Sequence, residues 1–221
     1  MTEKSLPLPD RSQYQYGYQV AYKLASEQLS AVRDLEGLCH RSDSRLETID
    51  GQHFIVVRYL AKDYRISHPD IEVSAVDGQA EVSLKDKLLI LHYLNCAQGT
   101  PVSGRAVTYK ELPECINYAS NFAKRAVRPL MNNFGHQPDR LPEVTAALDA
   151  RRVDCGDVAV VIDAFPRVPI TLVLWRGDDE FDAEGNILFD SSIQDYLSTE
   201  DITVVCESIA WRLVSILKAS G

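Results

Sequence analysis

The chain has no Cys-x-x-Cys pair, no His-Glu-x-x-His, no glycine-rich phosphate loop and no apolar run near the roughly 18 residues of a membrane span. Each absence removes a class of function. The five cysteines (Cys39, Cys96, Cys115, Cys155 and Cys206) are odd in number and widely scattered. A disulfide framework, a zinc ribbon and an iron–sulfur thiolate set therefore all lack their spacing, and free thiols in a reducing compartment are the expected state. Neither G-x-x-x-x-G-K-[ST] nor G-x-G-x-x-G occurs, which excludes the common nucleotide cradles; G-x-S-x-G is missing too. Histidines stand alone at 40, 53, 68, 92 and 136, so no ligand pair is visible by spacing. Positive charge is also short, at 23 basic against 32 acidic residues, a net charge of −9. Nucleic acid and anionic membrane surfaces repel such a protein and are not expected partners. The opening residues MTEKSLPLPDRSQYQ lack the apolar core of a signal peptide, so a soluble, cytoplasmic protein is expected.

What is present is an ordinary globular composition, 45% apolar and 25% charged over 221 residues. That suffices to bury a sizeable core. Residues 1–13 read as a loose arm and 14–221 as a single α+β domain. A helix is predicted from Tyr14 to about Cys39, on the steps of Tyr18, Tyr22, Ala25, Leu29 and Val32. Two strands joined at Asp50-Gly51 follow (45–50 and 53–60), then a third at 71–76, an antiparallel meander. Ser83 caps a buried helix to about Gln98, with Leu84, Leu88, Leu91 and Leu94 as its stripe, and Gly99-Thr-Pro101 stops it. A short strand at 105–109 precedes a helix from Glu111 to about Asn133, which Pro129 kinks or shortens, and a weaker helix over 138–150. Strands at 158–162, 170–175 and 186–190 and a final helix from Thr199 to Lys218, capped by Ser198, complete the chain. Strands and helices do not alternate, so the expected class is α+β. It has a mostly antiparallel sheet, about five helices and long N- and C-terminal helices.

An ordered set of phrases runs through the chain: Leu91-His-Tyr-Leu94, Gly99-Thr-Pro101, Glu111-Leu-Pro113, Phe134-Gly135, Gly156-Asp157, Pro166-Arg-Val-Pro169, Leu174-Trp-Arg-Gly-Asp-Asp-Glu-Phe181, Asn186-Ile-Leu-Phe-Asp190 and Thr199-Glu-Asp201. With this set the chain resembles the family called domain of unknown function 3786, over roughly residues 14–215. The resemblance implies an association with anaerobic bacteria and archaea, and no established activity. Some members are described as iron–sulfur proteins on a cysteine-rich segment. This chain lacks that segment, so the label is not carried over.

Three constellations merit attention. Asp178, Asp179, Glu180, Asp182, Glu184 and Asp190 crowd one stretch, and from Glu180 the spacing mimics the start of a calcium loop. Its twelfth position is Ser191 where a bidentate Glu is needed, and the flanks read as strands, so a solvated hairpin loop is expected. His92 lies beside Leu88 at the edge of the apolar stripe, placed as a core histidine or as a ligand to a metal or tetrapyrrole. Arg105, Arg125, Arg128 and Arg167 stand near element ends, Arg167 in the stiff Pro166–Pro169 connection, with Trp175 as a possible wall of the same pocket. Such planar donors suit carboxylate or phosphate recognition, or structural salt bridges.

The favoured expectation is a small-molecule or cofactor-binding accessory protein with an Arg-lined pocket, its candidate contacts His92, Arg105, Arg125, Arg167 and Trp175. A corrinoid or other tetrapyrrole as ligand rests on the family association alone. One alternative is a protein–protein module, with homo-oligomers formed through Tyr14, Tyr18 and Tyr22. The other is a metal-dependent hydrolase using Asp178, Glu180 and Asp190. No catalytic constellation and no metal-ligand set is assigned.

Overall fold

The first predicted helix is in fact two. In the computed structural model, which describes residues 11–78 and 81–219 (the side chains of 11–15 excepted), α1 spans Arg11–Ser30 and α2 spans Leu35–Ser42. Residues 1–10 of the expected arm and the side chain of Tyr14 lie outside the described residues. The break has a local cause: Asp34 caps α2, its carboxylate accepting from the Gly37 N–H at 2.9 Å.

A four-stranded antiparallel sheet follows in chain order, β1 (Arg45–Ile49), β2 (Gln52–Tyr59), β3 (Lys62–His68) and β4 (Val73–Ala75). The β1–β2 hairpin turns at Asp50-Gly51 as its chemistry predicts. Strand β3 is not among the expected strands, because the β2–β3 turn is built from Leu60 and Ala61, both left-handed at φ 46° and 65°. Two-residue hairpin turns need that handedness and usually obtain it from Asn or Gly. Leu60 is tolerated here because its side chain is buried, 1% exposed, and its N–H donates to the Ala164 carbonyl of the second sheet at 3.1 Å. Ala61 has no such compensation. Ala61→Gly is therefore expected to raise stability by about 0.5 to 1 kcal/mol, read as a higher urea midpoint at unchanged slope.

Helix α3 (Leu84–Cys96) starts where expected, with Ser83 Oγ accepting from the Asp86 N–H at 3.1 Å. Strand β5 (Ala106–Thr108) leads into an irregular helical region instead of the single helix expected over 111–133. Single turns at 109–111 and 116–118 precede α4 (Ala119–Phe122), a wider π turn over 123–127, and α5 (Arg128–Phe134). Pro129 explains the sequence of turns. It brings no N–H and crowds the carbonyl four residues back, and it sits in the first turn of α5, just after the π turn. Helix α6 (Arg140–Thr145) is the shorter element of 138–150.

The remaining strands, β6 (Arg151–Arg152), β7 (Val158–Phe165), β8 (Val168–Trp175) and β9 (Glu184–Asp190), join β5 in a second antiparallel sheet of order β5-β9-β8-β7-β6. The expected single sheet is thus two, and the α+β class stands. Helix α7 (Thr199–Ala219) runs through the core: Ile202, Val205, Ile209, Ala210 and Leu213 are wholly buried. One continuous cluster of buried side chains takes in both sheets and α1, α2, α3 and α7. No described helix is long and apolar enough to cross a membrane.

Candidate functional site

A cavity of about 720 Å³ opens between α1, one face of α3, the 118–125 segment and the first turns of α7. From α3 it takes Lys85, Leu88, Leu89 and His92, which helical spacing places on one side. From α7 it takes the capped N-terminus. Ser198 Oγ accepts from the Asp201 N–H at 3.2 Å and donates to Asp201 Oδ2 at 2.6 Å, and the Ser198 N–H reaches the same oxygen at 3.3 Å. This reciprocal cap holds the Asp201 carboxylate still, where the helix dipole favours its charge.

The other oxygen of that carboxylate receives His92. The Nδ1–Oδ1 distance is 2.8 Å, and only 10% of the Asp201 side chain is exposed against 31% for His92. A carboxylate only accepts, so Nδ1 carries the proton and Nε2 of the neutral ring is a lone-pair acceptor. Among the described residues Nε2 has no protein partner, and His92 lines the cavity. An imidazole held in one orientation by a carboxylate behind it can accept a proton, accept a hydrogen bond or ligate a metal.

Arg125 reaches the same cavity but is not a free anion receptor. Its Nη1 donates to Glu200 at 2.7 Å and its Nη2 to Glu207 at 2.9 Å. Burial disfavours the guanidinium charge, and the two carboxylates outweigh that and keep it protonated. The lining holds two cations, Lys85 and Arg125, against three carboxylates, Glu200, Asp201 and Glu207. An anion is therefore a poor guest. Burial raises the Tyr18 hydroxyl pKa, with Arg125 pulling the other way, so Tyr18 offers a neutral donor.

The other candidates lie elsewhere. Arg167 is in the β7–β8 turn, its Nε 3.7 Å from Asp43 and without a hydrogen bond. Arg105 is exposed just before β5, its carbonyl accepting from Ser191 N–H at 3.0 Å. Arg128 is exposed at the start of α5. Trp175 closes β8 beside Gly156, where an added Cβ would stand 3.3 Å from the indole. Only His92 and Arg125 of the expected set converge. Tyr18 and Tyr22 are half-buried and pack towards the core. The exposed apolar residues of α1 are instead Tyr16, Val20 and Leu24. In the acidic loop, Asp178 Oδ1 accepts from the Glu180 and Phe181 N–H groups at 2.8 Å each, an ordinary turn device. Asp190 bonds to Ser103, Gly104 and Ser192 instead. Among the described residues no three His, Cys, Asp or Glu side chains gather as a metal site.

Asp201 and Ser198 read in sequence only as a helix start. Nothing local announces that the same carboxylate holds a histidine 109 positions earlier. A comparison with curated proteins finds no match, and neither does one with solved structures. A family model does match, over residues 34–212, and its span takes in His92, Arg125 and Asp201. The chain belongs to the family described as Domain of unknown function (DUF3786).

Proposed function

We propose that the chain is a small-molecule or cofactor-binding protein whose ligand occupies the cavity between α1, α3 and α7, with His92 Nε2 as the atom that recognises it. The observation that carries this reading is the His92–Asp201 pair at 2.8 Å on the wall of a cavity of about 720 Å³. A cavity of that size suits a drug-sized ligand. Three carboxylates against two cations favour a neutral or cationic guest over a phosphate or carboxylate, and Leu88, Leu89 and Val204 supply apolar walls. A metal-bearing tetrapyrrole without acidic side chains, an amidated corrinoid among them, would meet these features. His92 would hold the metal, Asp201 would fix the ring that holds it, and Tyr18 would donate to a polar edge. Such a group would supply the metal-centred chemistry. The chain's own residues would bind it and orient it.

The test is an absorbance titration of the full chain with cobinamide, a cationic corrinoid whose side chains are amides, repeated on His92→Ala. A saturable spectral change at one ligand per chain is expected, weakened at least about tenfold in the variant, since even outer partners of a metal ligand are worth that much. Asp201→Asn should weaken binding less, while keeping the site. No spectral change with cobinamide sinks the corrinoid reading. No thermal shift with any neutral or cationic small molecule in a broad screen sinks the binding reading itself.

A further inference from the structure

We propose that His53 and His68 form a two-imidazole binding site for a divalent transition-metal ion, Zn²⁺ being the reference ion, at one end of the first sheet. The two residues are directly opposed across the antiparallel β2–β3 pair. They follow the buried pair Ile55 and Ile66 on the same side of the strands, so both rings leave the sheet from one face. Opposed cross-strand residues have Cβ atoms roughly 5 Å apart. At that spacing two imidazoles on one face can bring a nitrogen each to a single ion at about 2.0 to 2.1 Å.

The surroundings point the same way. A cavity of about 810 Å³ opens beside the pair, under the α1–α2 connection, and both histidines line it together with Asp34 and Glu36. Arg33 is the one cation of that lining. Thr48 Oγ1 lies 3.0 Å from His53 Nδ1, which orients that ring and reserves its Nε2 for a ligand. His68 Nε2 is out of solvent and has no hydrogen-bond partner. An orphaned buried nitrogen needs an explanation, and an ion shared with His53 is one. No third His, Cys, Asp or Glu side chain of the described residues joins the pair, so solvent fills the remaining coordination positions. Such a site is open and exchangeable, unlike a closed structural zinc.

The test is a calorimetric titration of the full chain with Zn²⁺ alone, beside His53→Ala, His68→Gln, and Cys96→Ser as a control for the exposed thiol. One ion per chain is expected for the native protein and for Cys96→Ser, with affinity at least about tenfold lower in each histidine variant. Zn²⁺ should also raise the melting temperature of the native chain and not that of His53→Ala. His53 is exposed, so its replacement leaves the fold intact and decides the matter should His68→Gln fail to fold. Uptake that is equal in the native chain and in His53→Ala, or no stoichiometric uptake, overturns the proposal and leaves a water on His68. His92→Ala should bind Zn²⁺ at this site as the native chain does, which keeps this test separate from that of the α1–α3–α7 cavity.

Discussion

Phe165→Ala is expected to destabilise the chain by about 4 kcal/mol, a full-sized loss for a buried aromatic truncation. Phe165 is 1% exposed at the end of β7 and is the middle ring of a column joining the two sheets to α3. Tyr64 meets Tyr59 at 5.9 Å, Tyr59 stacks on Phe165 at 4.8 Å, Phe165 on Tyr93 at 4.2 Å with 6° between planes, and Tyr93 on Tyr196 at 5.7 Å. How much a cavity costs depends on whether its neighbours can move in. Here they are pinned: the Tyr59 hydroxyl donates to Asp86 at 3.0 Å, that of Tyr93 to the Ser42 carbonyl at 2.6 Å, and that of Tyr196 to the Thr100 carbonyl. Closing the hole would break a buried hydrogen bond, so the hole stays. Urea unfolding should show a lower midpoint at unchanged slope, and Phe165→Leu should recover most of the loss. A loss below about 1 kcal/mol would mean that the column is not what unites the sheets.

Asp190→Asn is expected to be the most damaging isosteric change, about 3 kcal/mol at neutral pH, and its effect should shrink to about 1 kcal/mol in acid. Asp190 is 6% exposed and ends β9. Its Oδ1 accepts from Ser103 N at 3.0 Å and Oγ at 2.9 Å, and from Ser192 N at 3.0 Å and Oγ at 2.6 Å; its Oδ2 accepts from Gly104 N at 2.7 Å. An amide nitrogen in place of either oxygen would face donors with a donor. Burial alone would raise the carboxyl pKa, but the bonds from Ser192 and Ser103 outweigh it and bring the value down to about 2. The folded pKa lies below the unfolded one, so the contribution is complete above the unfolded value near 4. It is lost as pH falls towards about 2. Linkage puts this pH-dependent part at about 2 kcal/mol. The stability gap between the native chain and Asp190→Asn should therefore be flat from pH 7 to 5 and shrink between roughly pH 4 and 2. A gap that does not change with pH would assign the loss to packing instead of charge.

Neither role is visible in the sequence. By position Asp190 belongs with the acidic loop that it follows by a few residues. The fold turns it inward at the end of β9, onto the 103–104 backbone. Phe165 lies beyond the strand expected over 158–162, and β7 runs on to include it. The two hairpins with Asp50-Gly51 and Pro166-Arg167, the capped starts of α3 and α7 and the strands β7 to β9 were all legible, because each depends on residues within one or two turns of each other. Strand β3 was not legible. Its turn departs from hairpin chemistry, for a reason that lies in the other sheet, where the backbone of Ala164 meets Leu60. Missing β3 also hid the pairing of His53 with His68, since fifteen positions of separation mean nothing until the register is known.

The arginines show the same division. Their number and their places near element ends were plain, and an Arg-lined pocket was a fair expectation from them. Which carboxylate each one meets was not: Arg125 finds Glu200 and Glu207 some 75 and 82 positions away, and Arg176 finds Asp139 at 2.7 and 2.9 Å. A charge already compensated by two partners no longer recruits an anionic ligand.

By itself the sequence determined the α+β class, the bounds of the capped helices α3 and α7 and of strands such as β1 and β2, and the absence of the common catalytic and nucleotide-binding motifs. Those depend on periodicity, caps and turn chemistry, which act over a few residues. Only the tertiary structure decided that the strands split into two sheets joined through Tyr59 and Phe165, and that Asp201 stands behind His92. Only it decided that Arg125 is already paired. The physical reason is common to all three: contacts between distant segments follow from the packing of one shared core, and local propensity carries no record of them.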